Sequence, residues 1–274
     1  MQLCVSSSFF GCTESHRVAQ RTTEEKKLMN IIKSIIVGIV GICYLVVTFP
    51  VNIIVWFLSY PFDRDRKLIH RLLMYQSFML SYLIPIWKIH IEGREKAKKG
   101  TTYVIISNHQ SMLDIIIINC LRYKYKWISK IENFKVPVIG QYLKMADYII
   151  VDRSDDESKT EMLERSYDCL KKNISIMMFP EGTRSQNNEI GFFRRGAFQL
   201  ALQAEVPILP VIIDGTGGIL PKHGLIFGSG FQIRIKVLDP VFPPDFGTDI
   251  PEELALQFSR LMSSEITKMR SNIK

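Results

Sequence analysis

The chain has 274 residues, 47% of them hydrophobic and 23% charged. That size and composition bury a core as one large or two small domains, which excludes wholesale disorder. Its 35 basic residues exceed its 27 acidic ones by eight, and with a mean hydropathy of +0.09 the balance favours an anionic, membrane-surface partner.

Residues 1–33 are polar and mixed in charge, from Ser6, Ser7 and Ser8 through Arg17 to Lys33, and are expected to form a poorly ordered tail. Ser34 to Phe62 is a run of 29 positions without a charge, longer than the ~20 that a helical span needs. It shows no polar stripe of the kind a buried soluble helix carries, and it starts too late and runs too long for a secretory signal. Pro50 and Asn52 divide it, so it reads as one long kinked span or as a re-entrant hairpin. Basic residues flank both ends (Lys26, Lys27 and Lys33; Arg64, Arg66, Lys67 and Arg71) and leave the orientation open. In 68–89, Leu68, Leu72, Met79, Tyr82 and Ile86 interleave with His70, Arg71 and Gln76. This fits an interfacial helix or, equally, an amphipathic core helix. The expected division is a tail (1–33), a membrane anchor with interfacial helices (34–89) and a globular domain (90–274).

In the globular part, apolar runs of strand length occur at 103–107, 126–129, 148–151, 174–179, 208–213 and 232–237. Helical patterns separate them at 111–121, 162–170 and 195–204, and a last amphipathic helix spans 252–269. Strand–helix alternation predicts an α/β fold, with a mainly parallel central sheet flanked by helices and the N-terminal membrane-embedded helical segment added to it. Continuous apolar character marks 149–151 and 208–213 as strands buried on both faces. Ligands of such sheets bind beyond the carboxyl ends of the strands.

The first loop at such an end reads Ser107-Asn108-His109-Gln110-Ser111-Met112-Leu113-Asp114. Five positions on a continuous helix would separate His109 and Asp114 by about 140°. His109 therefore belongs in the turn and Asp114 in the helix's first turn, its carboxylate reaching back as a general base requires. A plain turn histidine beside a helix-start acid fits the same pair. Ser111 has a cheaper use at the helix start than as a nucleophile. If His109 acts, the attacking group is therefore the substrate's own hydroxyl, with no covalent enzyme intermediate.

The second loop reads Phe179-Pro180-Glu181-Gly182-Thr183-Arg184-Ser185. Pro180 stops the strand, Gly182 permits a turn with positive φ, and Arg184 offers a planar fork matched to phosphate oxygens. Glu181 either orients Arg184 or hydrogen-bonds a substrate hydroxyl; a surface turn with an Arg–Glu pair is the plainer alternative. The five cysteines and five histidines show neither C-x-x-C nor H-x-x-x-H spacing, so reduced thiols and no metal are expected.

Together the two loops, some seventy residues apart, resemble the glycerolipid acyltransferase family, most closely its 1-acylglycerol-3-phosphate (lysophosphatidate) acyltransferases. Tyr148-Ile149-Ile150-Val151-Asp152-Arg153 and Val206-Pro207-Ile208-Leu209-Pro210-Val211 resemble two lesser motifs, and the resemblance covers about residues 85–240. It implies that His109 deprotonates the 2-hydroxyl of lysophosphatidic acid, which attacks an acyl thioester, with Asp114 orienting the imidazole. It implies Glu181, Gly182, Thr183 and Arg184 around the glycerol phosphate, Arg153 and Lys130 adding charge there, and Pro207 shaping the acyl site. Backbone N–H groups after His109 are the expected oxyanion donors. Acyl-CoA or acyl carrier protein is the implied co-substrate, with no other cofactor. The expected partners are a lysophospholipid, the thioester carrier and the bilayer, with the catalytic domain facing the cytoplasm. Another lysophospholipid or glycerol-3-phosphate is the alternative acceptor, and non-catalytic binding of anionic lipid a more distant reading. Nucleic acid is disfavoured because the basic residues are dispersed and no recognition motif occurs.

Overall fold

The computed structural model describes residues 7–84, 87–222, 226–228 and 231–271. Cys4, Ser6 and the rest of 1–6, Ile86 and His223 lie outside the described residues.

Helix α1 (Ser7–Ser59) is continuous for 53 residues and contains Pro50. The expected tail is therefore helical from Ser7 onward, helped by good helix formers such as Glu24, Lys26, Leu28 and Met29. The charge-free run does not fold back. Contacts on both sides of Pro50 pin it: the Thr48 hydroxyl meets the Tyr142 hydroxyl at 3.2 Å, and Asn52 and Gln76 exchange two amide hydrogen bonds of 2.9 and 3.0 Å. Tyr44 donates to the Gln76 carbonyl at 2.9 Å, and Ser34 accepts from the Phe227 N–H at 2.7 Å. Tyr44, Thr48 and Asn52, at i, i+4 and i+8, thus form the polar stripe that the apolar run was expected to lack. It is uncharged, which hid it. The remaining surface of α1 exposes Ile39, Ile42, Val46, Val47, Ile54 and Phe57, and by length and composition the helix is a candidate membrane span.

Helix α2 (Lys67–Leu83) turns Ile69, His70, Met74 and Ser81 inward and exposes Leu68, Tyr75, Met79 and Tyr82, which share one helical stripe. One face is core and the opposite face is apolar toward the surroundings, so each of the two sequence expectations describes one side.

The sheet has seven strands: β1 (Trp87–Glu92), β2 (Val104–Ser107), β3 (Tyr125–Lys130), β4 (Ile149–Val151), β5 (Ser175–Met178), β6 (Ile208–Asp214) and β7 (Phe231–Val237). Their order is β1-β7-β6-β2-β5-β3-β4, parallel throughout except for the β6–β7 pair. The sheet thus begins at Trp87, three residues before the expected boundary, and β1 was not anticipated as a strand. It lies at the sheet edge with alternating burial, so it lacks the continuous apolar run of an inner strand. All seven residues of β6 are buried, as expected of a central strand. By contrast β4 forms the other edge, pairing with β3 alone.

Helices α3 (Leu113–Asn119) and α4 (Ile139–Met145) lie with α2 on one face; α5 (Asp156–Lys171), α6 (Gly196–Ala204) and α8 (Pro251–Ser271) cover the other. The period of two decides which core each residue joins: Ile105 packs with α3, while Val104 and Ile106 pack toward α6. The chain leaves β2 toward β3 on the α3 face and enters β6 from β5 on the α6 face. This reversal opens a crevice at the carboxyl end of β2.

Candidate active site

Five strand ends meet at that rim. In strand order they are Asp214 and the short helix α7 (Thr216–Ile219) after β6, the His109 loop after β2, residues 179–185 after β5, and Lys130 with Arg153 after β3 and β4.

His109 Nδ1 lies 2.8 Å from Asp114 Oδ2, the reach-back contact that the spacing predicted. Asp114 is fully buried, and His109 keeps only 13% of its side chain exposed. Asp114 Oδ2 also accepts the N–H groups of Gln110 (2.7 Å) and Ser111 (2.9 Å), and Oδ1 accepts the Thr216 hydroxyl at 2.5 Å. With four donors and no solvent access, this carboxylate is held as an acceptor. An Nδ1–H donated to it leaves Nε2 as the basic nitrogen, and Nε2 has no hydrogen-bond partner among the described residues. The imidazole stacks on Phe179, with ring centroids 3.9 Å apart and planes 8° apart. One expectation changes here. The Gln110 and Ser111 N–H groups are engaged by Asp114 and are not free as oxyanion donors. Ser111 is buried and donates to the Leu220 carbonyl at 2.8 Å, in keeping with a structural serine.

The second loop holds the His109 backbone. Glu181 Oε1 accepts the His109 N–H at 2.9 Å, Oε2 accepts the Gly191 N–H at 3.2 Å, and the His109 carbonyl accepts the Ser185 N–H at 2.7 Å. Glu181 therefore does not orient Arg184; both its oxygens clamp main chain. Burial pushes its carboxyl above the usual range, while the two N–H groups pull the other way.

Gly182 has φ +71°, and a Cβ there would stand 2.7 Å from Arg194 Nε, so glycine makes room for that guanidinium. Arg153 donates to the Gly182 carbonyl. Burial, and then the neighbouring Arg194, lower its affinity for the proton, though a guanidinium stays charged. Beyond this loop lies a cavity of about 720 Å³. Its floor includes Ile128, Val151 and Met162, and its walls carry Arg153, Arg194 and Lys159. Phe179, Pro180 and Gly182 line it too, so it shares the Phe179 wall with His109.

The other expected residues separate. Thr183 is exposed and Arg184 half-buried. The Arg184 carbonyl accepts Lys222 Nζ at 2.7 Å, while its guanidinium has no hydrogen bond or ion pair among the described residues. Lys130 pairs with Glu132 at 2.7 Å on the rim, two strands, or roughly 10 Å, from β2. Pro207 lies apart from His109: it precedes β6, where Ile208 aligns with Val104, and its carbonyl accepts the Val104 N–H at 3.1 Å. That is the amino end of β2, five residues and about 16 Å from His109, where Pro207 pins a strand pair. The reading of the sequence missed Thr216 and gave Arg194 no part in the site. Arg194 stands in a basic pair, Arg194-Arg195, which is a usable signal; Thr216 carries none, being 102 residues from its partner.

A family model described as Acyltransferase matches residues 88–214. The chain is 34% identical over 210 residues to the chloroplastic 1-acyl-sn-glycerol-3-phosphate acyltransferase of Brassica napus, covering 74% of this chain and 61% of that protein. It is 36% identical over 181 residues to the Arabidopsis thaliana chloroplastic enzyme of the same name (66% and 51%). To the human 1-acyl-sn-glycerol-3-phosphate acyltransferase alpha it is 32% identical over 193 residues (70% and 66%). The chain thus spans about half to two thirds of the length of these relatives. The crystal structure of the 1-acyl-sn-glycerophosphate (LPA) acyltransferase from Thermotoga maritima superposes with a TM-score of 0.78 at 23% identity, covering 91% of this chain and 99% of that one. The fold is shared.

Proposed function

The chain belongs to the acyltransferase family through residues 88–214, and from that premise we propose that it moves an acyl group from a thioester to the free 2-hydroxyl of lysophosphatidic acid. The observation that carries this reading is the His109–Asp114 pair with Nε2 unpartnered at the crevice. Nε2 takes the proton of the acceptor hydroxyl as its oxygen attacks the thioester carbonyl. The tetrahedral intermediate collapses, the C–S bond breaks, and the proton held on His109 passes to the departing thiolate, so the imidazole ends neutral. Asp114 keeps Nδ1–H in place and stabilises the transient imidazolium. No acyl-enzyme forms, because Ser111 is already engaged, and the chemistry needs no metal or other cofactor.

The acceptor phosphate fits the Arg153 and Arg194 guanidinium groups, with Arg184 and Lys130 as further cations along the rim. Acyl-CoA or acyl carrier protein supplies the thioester. The names of the curated relatives support lysophosphatidate as acceptor.

Attachment to the bilayer follows from α1 and α2. Polar contacts tie α1 to the domain from Ser34 to Asn52, so its apolar outer face and the α2 stripe lie alongside the domain and insert together as an in-plane anchor. A cytoplasmic catalytic domain is part of the same proposal; the free thiols of Cys43, Cys120 and Cys169 suit a reducing compartment.

The test is direct. Purified protein in vesicles receives lysophosphatidic acid with labelled acyl-CoA or labelled acyl carrier protein. Labelled phosphatidic acid from either donor supports the reading; label that stays on the thioester with both donors refutes it.

A further inference from the structure

Asp114 is held unevenly. Its Oδ2 takes three donors, His109 Nδ1, Gln110 N and Ser111 N, all within five residues of it in sequence. Its Oδ1 takes one donor among the described residues, the Thr216 hydroxyl at 2.5 Å, which arrives from beyond β6. Thr216 is fully buried. Its hydroxyl has one proton and two acceptors in reach, Asp114 Oδ1 and, at 3.4 Å, Gln110 Oε1. The nearer, charged oxygen takes it.

Gln110 then points its amide nitrogen away from Thr216, toward the Asn188 carbonyl at 3.3 Å and Asp214 Oδ1 at 3.5 Å. Asp214 is fixed in turn by Arg234 of β7 at 2.8 Å and by Arg270 of α8 at 2.9 Å. Burial alone would raise the Asp214 carboxyl, and the hydrogen bonds and charge of Arg270 and Arg234 overcome it and hold the carboxyl low. The residues beside Thr216 are thus locked from the far side of the sheet.

We propose that Thr216 is a positioning residue for the reaction: by holding Oδ1 it fixes the plane of the Asp114 carboxylate, so that Oδ2 stays aimed at His109 Nδ1. The inference rests on the reading of His109 as general base. A carboxylate held on one oxygen alone can turn about its Cβ–Cγ bond, a broad and soft torsion, and the imidazole would turn with it. The charged groups facing the pair are Glu181, at the His109 N–H, and Asp214 with Arg234 and Arg270, behind Gln110; the substitution removes none of them.

The experiment uses the full chain in detergent, with Thr216→Val and Thr216→Ser. Loss of the hydroxyl in Thr216→Val should lower kcat roughly tenfold with KM for both substrates within about twofold. Thr216→Ser should restore kcat. The NMR resonance of the His109 Nδ1–H supplies the readout that does not need turnover: its downfield displacement, set by the bond to Asp114, should shrink in Thr216→Val and return in Thr216→Ser. Should the valine variant fail to fold, Thr216→Ala carries the same expectations. An unmoved Nδ1–H resonance in the folded variant lacking the hydroxyl overturns the proposal, as does an equal kcat loss in Thr216→Val and Thr216→Ser. Wild-type protein without acyl transfer would count against the proposed function, and the Nδ1–H resonance would still decide the role of Thr216.

Discussion

The two ends of the rim are built by opposite rules. Where β2 ends, the polar groups are engaged: Asp114 has four donors, Glu181 clamps two backbone N–H groups, and the His109 backbone is bonded at both its N–H and its carbonyl. The exception is Nε2. Across the Phe179 wall, Arg194 has a guanidinium group with no internal ion pair among the described residues. Hydrogen bonds are concentrated where an atom must be aimed, and cations are left open where a ligand is to bring the counter-charge.

The largest expected effect lies at the first end. Asp114→Asn replaces an acceptor-only group facing four donors, and should lower kcat by about 10²–10⁴-fold in a steady-state assay of labelled phosphatidate; a loss under about tenfold would break the contrast. At the second end, Arg153→Ala and Arg194→Ala should each raise KM for a phosphate-bearing acceptor by roughly 10–100-fold and spare a neutral lysolipid. A fall in kcat with KM unchanged would move these residues to the reacting end.

Glu181→Gln separates orientation from stability. Burial raises the Glu181 carboxyl in the folded state above its ordinary 4.5. The stabilising contribution of such a group is full below pH 4.5 and is lost as pH rises through its folded value, so at pH 7 the charge costs stability. The variant should melt no lower than wild type at pH 7, while kcat drops several-fold, roughly 1 kcal/mol of barrier, because one clamped N–H loses its acceptor. Melting several degrees below wild type would contradict this.

The smallest effect on activity belongs to His70, far from the site. It is buried, with Nδ1 2.7 Å from the Tyr148 hydroxyl, and burial lowers it from 6.5 to about 4. Between those values the unfolded chain binds the proton more readily, so stability falls as pH drops from 6.5 toward 4, by up to roughly 3 kcal/mol. His70→Gln should flatten melting temperature against pH in that window without changing its slope elsewhere; an unchanged slope would deny His70 the role.

Legibility in the sequence followed contiguity. The His109–Asp114 contact could be read because both residues share one loop, and helical geometry rules out the alternative. The inner strands could be read because burial on both faces leaves an unbroken apolar run, as in β6. Edge strands broke that rule in both directions: β1, with alternating burial, was not anticipated as a strand, and β4 was taken for a central strand. The α1 stripe was missed because Tyr44, Thr48 and Asn52 carry no charge. Pro207 was placed by resemblance to a motif, which names a residue without fixing which end of the strand it occupies; the Val104–Ile208 register settled that. Thr216 could not be seen at all, since only the β2–β6 pairing brings it to Asp114.

The central claim is that the unpartnered nitrogen of His109 moves the proton. The most direct measurement compares wild type and His109→Ala at saturating lysophosphatidic acid and labelled acyl thioester, with folding of both checked by melting. Loss of about 10²-fold or more in turnover, with the melting temperature kept, is the expected result. Turnover within a fewfold of wild type in a folded His109→Ala protein would contradict it.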